Sequence, residues 1–117
     1  MGTSTDAILV YGIPLEEGAI RYDENAKSGP SYMYYTGGVE DGVEIVMHCS
    51  AEYPMHIVAI PGTAISAYRG SPTPVAVDSL LPGTEADNEL LLAFLKKHKL
   101  KKSKGAKPGW WLCSYWG

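Results

Sequence analysis

Four residues in the middle of the chain, His48, Cys49, Glu52 and His56, combine the side-chain types used in nucleophilic catalysis. A neighbouring imidazolium lowers the pKa of a thiol, so a cysteine beside a histidine can become a thiolate nucleophile. In an extended segment, however, adjacent side chains point to opposite faces, and His48 would not reach Cys49 without a bulge. We therefore predict that Cys49 is a buried structural cysteine, and we keep a Cys/His-dependent enzyme as one alternative.

A metal site is a second chemical possibility for the same residues. His48, His56 and a cysteine could meet on adjacent antiparallel strands, which place their residues opposite one another. Zinc sites usually show paired ligands such as C-x2-C or H-x3-H, and the sequence contains neither pair. We predict no metal and no cofactor, with the histidines at the surface or hydrogen-bonded, and we keep a metal-dependent enzyme as a further alternative.

A lysine-rich segment near the end of the chain is a candidate polyanion site. Seven of the 10 lysines and arginines lie within residues 96–107, and Trp110 follows them. Lys101 and Lys102 could attract phosphates while Trp110 stacks on a base, the combination used in single-strand binding. The lysines equally suit the carboxyl end of a helix. A small-molecule or nucleotide-binding protein that uses this segment is therefore an alternative to the main hypothesis.

The main hypothesis rests on tyrosines. Tyr32, Tyr34 and Tyr35 lie in a polar, glycine-rich stretch without regular periodicity, which favours exposure to solvent. Tyrosine and tryptophan are common at the centres of binding surfaces because each has a large apolar face and a polar tip. We predict a non-enzymatic binding protein that contacts a protein partner, or another copy of itself, through these residues.

Composition fits one globular domain spanning residues 1–117. The chain is 45% hydrophobic and 20% charged, and its apolar runs are too short to span a membrane. All 13 acidic residues precede position 90, so residues 1–95 carry a net charge of −10 and residues 96–117 carry +7. The start of the chain lacks an export signal, and its two cysteines are too few for a disulfide scaffold. We expect a cytoplasmic protein with free thiols and no membrane partner.

Periodicity divides the chain into strands, loops and one helix. Residues 6–12 are an apolar run expected to form a central strand, and residues 15–42 are expected to be long loops with at most one irregular strand. Residues 43–49, 55–60 and 63–68 predict three antiparallel strands in a meander, and residues 75–78 predict a short edge strand. Residues 110–117 predict a last strand covered on both faces.

The helix has clear start and stop signals. Thr84 and Asp87 resemble a capping box, apolar residues recur at helical spacing, and lysines fill the last turn. These signals predict a helix over residues 85–98. The expected fold class is α+β, a mainly antiparallel sheet of about five strands with one helix from the second half of the chain packed on a face.

Three short motifs resemble those of small proteins encoded by bacteriophages and prophages. They are Leu9-Val10-Tyr11-Gly12, the pair His48-Cys49-Ser50 and Tyr53-Pro54-Met55, and the terminal Trp111-Leu112-Cys113-Ser114-Tyr115-Trp116-Gly117. The resemblance implies an accessory phage protein that acts in the cytoplasm of a bacterial host, on a host factor.

Overall fold

A mixed five-stranded sheet organises the protein, whose computed structural model describes residues 5–81 and 83–116. The elements in chain order are β1 (Thr5–Pro14), α1 (Gly29–Thr36), β2 (Glu44–Ser50), β3 (Pro54–Ala59), β4 (Ile65–Ala67), a 3-10 turn (Val77–Ser79), α2 (Glu85–His98) and β5 (Gly109–Trp116). The predicted α+β class, with its mainly antiparallel five-stranded sheet, is confirmed. The sheet is nevertheless mixed, because β2 and β5 run parallel at Cys49–Tyr115 and Ser50–Trp116.

The strand pairings close on themselves. β1 pairs with β5 along residues 5–12, β5 with β2, β2 with β3, and β3 returns to β1 at residues 12–14. β4 pairs with β1 at residues 7–9, on the same edge of β1 that β3 uses further along. β1 is thus the central strand, as its apolar run predicts, and four strands form a small ring with β4 beside it.

Two apolar clusters lie on opposite faces of this sheet. The smaller one fills the ring, with Val10, Ile57 and Ala59 at its centre. The larger one lies between the sheet and the two helices, and it includes Tyr11, Ile13, Leu15, Met33, Val43, Val58, Leu91, Phe94, Leu95 and Ala106. Because side chains alternate along a strand, the odd positions of β1 face the helices and the even positions face the ring.

The helix α2 forms as its sequence predicts. Thr84 accepts a hydrogen bond from the Asp87 amide at 3.1 Å, and Asp87 accepts one from the Thr84 amide at 3.3 Å, which completes the capping box. Leu91, Phe94 and Leu95 are its buried face. The helix ends at His98, and the next residue, Lys99, caps it in a left-handed conformation with φ of 53°. Neither described helix has the length and apolar character required to cross a membrane.

Three expectations about the elements are wrong. Residues 29–36 form a helix where loops or an irregular strand are expected. Residues 65–67 pair with β1 rather than completing a meander beside β3, because β3 already uses both of its edges, for β2 and for β1. Residues 77–79 form a 3-10 turn instead of an edge strand.

The last strand is a fourth correction. β5 does complete the sheet, but only one of its faces is covered at its end: Leu112 and Trp116 are 75% and 60% exposed, whereas Trp111 and Cys113 pack against the ring cluster. The alternating pattern of a half-buried strand is hidden in the sequence because its exposed positions also carry large apolar side chains.

Candidate functional site

The short helix α1 displays two of the predicted tyrosines. Pro30 lies in its first turn, where a missing amide hydrogen costs nothing, and Gly37 ends it in a left-handed conformation with φ of 72°. The carboxylate of Glu40 accepts a hydrogen bond from the Gly29 amide, with oxygens at 2.9 and 3.2 Å. Because Gly29 is the first residue of the helix, its amide has no acceptor within the helix, and the Glu40 carboxylate supplies one. The negative charge of Glu40 also interacts favourably with the positive end of the helix dipole.

The two faces of α1 have different surroundings. Met33 is 1% exposed and belongs to the larger core cluster, so it anchors the helix on the sheet. Tyr32 is 40% exposed and Tyr35 is 73% exposed. Helical geometry places residues three apart on one face, so Tyr32 and Tyr35 stand next to each other on the outer side.

A third tyrosine completes an open cleft. Tyr22, 63% exposed, lies with its ring centroid 6.0 Å from that of Tyr35, at an interplanar angle of 44°. The cleft has a volume of about 290 Å³. We call it the tyrosine cleft, and its lining consists of Tyr22, Asp23, Glu24, Ala26, Ser31, Tyr32, Tyr35 and Thr36.

Hydrogen bonds fix the loop that forms the second wall of the tyrosine cleft. The hydroxyl of Ser31 accepts from the Asp23 amide at 2.8 Å and donates to the Asp23 carbonyl at 3.3 Å. One carboxylate oxygen of Asp23 accepts from the Asn25 amide at 3.0 Å, and the Asp23 carbonyl also accepts from the Ala26 amide at 3.1 Å. The loop therefore holds Tyr22 and Asp23 against the helix rather than leaving them free to rotate away.

The chemistry of the tyrosine cleft favours a cation. Its aromatic faces carry negative partial charge and attract an ammonium or guanidinium group placed over them. Asp23 and Glu24 add two carboxylates to the lining, within the part of the sequence that carries a net charge of −10. A planar guanidinium suits this combination best, because it both stacks on tyrosine and bonds carboxylates through paired N–H groups.

Tyr34 does not join the other two tyrosines. Its ring packs edge-on against His56, with centroids 4.7 Å apart, and its hydroxyl donates to the sulfur of Met47 at 3.1 Å. Tyr34 is half-buried and faces the sheet, so the expectation that all three middle tyrosines are displayed is wrong for this residue. The cause is the helix, whose period turns consecutive residues to different sides.

The structure separates the residues of the predicted polyanion site. Trp110 packs edge-on against Tyr11, with centroids 5.6 Å apart, and its indole N–H donates to the Leu81 carbonyl at 2.9 Å. In the sheet, Trp110 lies opposite Tyr11, whereas Lys102 lies opposite Leu15. Leu15 is four residues after Tyr11 in the chain. Four extended residues span about 13 Å. Trp110 therefore contacts residues of its own chain, and its backbone is about 13 Å from that of Lys102.

Lys101 and Lys102 belong to a docked turn. The Lys101 carbonyl accepts from the Glu16 amide at 2.9 Å, and the ammonium of Lys102 donates to the Ala106 carbonyl at 2.7 Å. Both side chains remain exposed. The segment therefore offers positive charge at the surface.

The histidines and cysteines of the middle strands do not form a chemical cluster in the part of the chain that is described. His56 is 6% exposed on β3, His48 is half-buried on β2, and Glu52 is exposed in the connecting turn. Both cysteines are free, as predicted, and both are half-buried, so Cys49 is less buried than expected. No group of three potential metal ligands occurs within residues 5–81 and 83–116. Cys49 has a positive φ of 75°, which interrupts the strand alternation after His48.

Burial of His56 predicts acid sensitivity. Burial lowers the pKa of His56 below its ordinary value of 6.5, and the nearby His48 lowers it further; burial also lowers the pKa of His48. Between the lowered pKa and 6.5 the unfolded chain binds more protons, so the free energy of unfolding should fall as the pH drops through this window. Urea unfolding at pH values from 7.5 to 5.5, about one unit on either side of the ordinary pKa of histidine, would measure this change in stability.

The control for this prediction is a double variant. His56→Leu combined with His48→Gln should flatten the pH dependence in that window, because neither position then takes up a proton. Burial raises the pKa of Glu44 above 4.5, and this effect has the opposite sign, since it removes stability as the pH rises. An unchanged slope in the double variant would contradict the assignment.

Comparison with protein-family models, with curated proteins and with solved structures found no match to this chain. The site is therefore defined by its own geometry. Of the residues singled out from the sequence, Tyr32 and Tyr35 come together, whereas Tyr34, Trp110 and the lysines lie elsewhere. Tyr22 is the residue that sequence reasoning missed, because its place opposite Tyr35 depends on the fold of the loop and not on any local pattern.

Proposed function

We propose that this protein is a non-enzymatic binding protein whose tyrosine cleft receives a cationic side chain, an arginine above all, from a protein partner. The observation that carries the proposal is the combination of three exposed tyrosines and two carboxylates around one cleft of about 290 Å³. Exposed aromatic side chains on a fixed support lose little conformational entropy on binding, which is why such positions contribute much of the affinity at interfaces.

Charge supports the same class of partner. The cleft is lined by the carboxylates of Asp23 and Glu24 and the chain carries a net charge of −3, so electrostatic attraction would increase the rate at which a basic partner meets it. The resemblance to phage-encoded proteins extends the proposal to a bacterial host protein in the cytoplasm. The partner class is thus a protein with an exposed arginine in a basic surface.

A peptide pair tests the proposal directly. A short peptide with one central arginine should bind in isothermal titration, and the same peptide with citrulline, which keeps the shape but lacks the charge, should bind at least about ten-fold more weakly. Binding of the arginine peptide should weaken with added salt, because the carboxylates are near the surface. Equal affinity for the two peptides would contradict the proposal.

Matched variants locate the binding to the tyrosine cleft. Tyr35→Ala should lower the affinity for the arginine peptide about ten-fold. Tyr68→Ala, at a residue of similar exposure outside the cleft, should leave this affinity unchanged. Asp23→Asn keeps the acceptor for the Asn25 amide and removes only the charge, so it should weaken binding and its salt dependence together. Retained affinity in both Tyr35→Ala and Asp23→Asn would overturn the site.

The nucleotide alternative has its own discriminating variant. Replacing Lys101 and Lys102 with glutamate removes positive charge from the docked turn and leaves the tyrosine cleft unchanged. The arginine peptide should bind this double variant as well as it binds the original chain. Salt-dependent quenching of tryptophan fluorescence by an oligonucleotide, lost in the double variant, would instead support the alternative.

A further inference from the structure

The helix α2 covers one part of a sheet face. The rest of that face is half-buried near Leu9 and exposed at Leu112 and Trp116. Tyr11 and Ile13 of β1 lie under Leu91, Phe94 and Leu95 of the helix. Towards the beginning of β1 the same face continues through Leu9 and Ala7, beyond the reach of the helix. We call this second part the bare face.

Strand register defines the bare face. Leu9 is opposite Leu112 on β5 and opposite Ile65 on β4; Ala7 is opposite Ser114 and Ala67. Trp116 extends the β5 row. Residues directly opposite one another in a sheet point to the same side, so these side chains form one continuous surface. Its members are Ala7, Leu9, Ile65, Ala67, Leu112, Ser114 and Trp116.

The bare face is apolar and free of charge. Leu112 is 75% exposed and Trp116 is 60% exposed, although both are large apolar residues. None of its seven members is ionisable, in a chain of which 20% is charged. Contiguous exposed apolar patches on soluble proteins usually mark an interaction surface.

We propose that the bare face binds the bare face of a second copy of this chain, forming a two-fold dimer. A two-fold interface brings identical patches together, so any charged residue in the patch would lie near the same residue of the second copy and be repelled by it. The chain as a whole carries a net charge of −3, so two copies repel each other weakly wherever charged surfaces meet. A neutral face avoids this repulsion, and the packing of two sheets through leucine, isoleucine and tryptophan resembles a protein core divided in half.

The free edge of β4 does not offer an equivalent route. The hydroxyl of Thr73 donates to the Ser66 carbonyl at 2.8 Å, and Tyr68 pairs with Ser71 in the turn that follows. The strand has only three residues, and a side chain of its own loop already occupies one of its outward groups. Face-to-face packing is therefore favoured over addition of a strand at this edge.

Sedimentation equilibrium over a range of concentrations tests the dimer. The original chain should reach twice its mass of 12.7 kDa. Leu112→Lys places two ammonium groups in the paired faces and should raise the dimer dissociation constant at least about 100-fold. The matched control is Val77→Lys, at a residue 74% exposed outside the bare face, which should leave the dimer intact.

Three outcomes would overturn the proposal: a monomer at the highest soluble concentration of the original chain, an intact dimer in Leu112→Lys, or dissociation by Val77→Lys to the same extent. If Leu112→Lys does not fold, Ser114→Glu introduces a charge at an exposed position with a small side chain and gives the same test. Affinity for the arginine peptide should be unchanged in a folded Leu112→Lys, because the tyrosine cleft shares no residue with the bare face.

Discussion

Replacing Gly12 with alanine should lower the free energy of unfolding by about 3 kcal/mol or more. A Cβ atom at this position would collide with the Val58 carbonyl oxygen and would lie 2.9 Å from both the Ala59 Cα and the Ile57 Cγ2. Two of these three atoms are backbone, so β3 would have to move as a unit. Gly12 is also the residue at which β3 joins β1 and closes the ring.

The glycine opposite is a matched control for this change. Gly109 pairs with Gly12 across β1 and β5, and a Cβ there would have its nearest neighbours at 4.0 Å. Gly109→Ala should therefore change the free energy of unfolding by no more than about 0.5 kcal/mol. Urea unfolding followed by tryptophan fluorescence measures both variants. Equal losses for the two would show that close approach of β3 is not the reason for glycine at position 12.

The helix α2 could be predicted because its signals are local. Thr84 and Asp87 satisfy each other within one turn, and Leu91, Phe94 and Leu95 repeat at the period of a helix. Each signal is complete within a few residues of sequence. The same is true of β1, whose buried apolar run marks it as the central strand.

The helix α1 could not be predicted because its support comes from elsewhere in the chain. It has only eight residues, and tyrosine is a modest helix former. The preceding residue, Ser28, does not cap its start; the Gly29 amide instead donates to the carboxylate of Glu40, eleven residues further along the chain, and Met33 is held by the core. A helix stabilised by tertiary contacts leaves little trace in the local sequence.

The candidate site depends on that helix. Tyr32 and Tyr35 attract attention as a tyrosine-rich stretch, but only helical geometry puts them on one face and sends Tyr34 to the other. Tyr22 reaches Tyr35 because Ser31 bonds both backbone groups of Asp23. Composition therefore indicated the surface, and tertiary structure decided which tyrosines share it.

Strand order also lay beyond the sequence. β4 follows β3 closely, which favours a meander, yet β3 already has partners on both edges and β4 pairs with β1 instead. This arrangement places Ile65 and Ala67 beside Leu9 and Ala7 and so widens the bare face. The surface proposed for dimerisation is thus a product of topology rather than of any one segment.

Phe94→Ala should destabilise the protein by about 3–5 kcal/mol. The ring is 2% exposed in the larger core cluster, and it contacts His98 with centroids 4.5 Å apart. Truncation removes its buried apolar surface and leaves a cavity between α2 and the sheet. A typical domain of this size has a free energy of unfolding of about 5–15 kcal/mol, so the variant should lose between about one fifth and all of it.

A variant at the exposed Leu92 is the control, because it removes a large side chain without removing a buried one. Leu92 is 47% exposed on the same helix, and Leu92→Ala should cost less than about 1 kcal/mol, because it leaves no cavity. Thermal and urea unfolding of the three proteins at one pH give the comparison. If Phe94→Ala lost no more stability than Leu92→Ala, then α2 would not be packed on the sheet through Phe94, and the division of the sheet into a covered half and the bare face would be wrong.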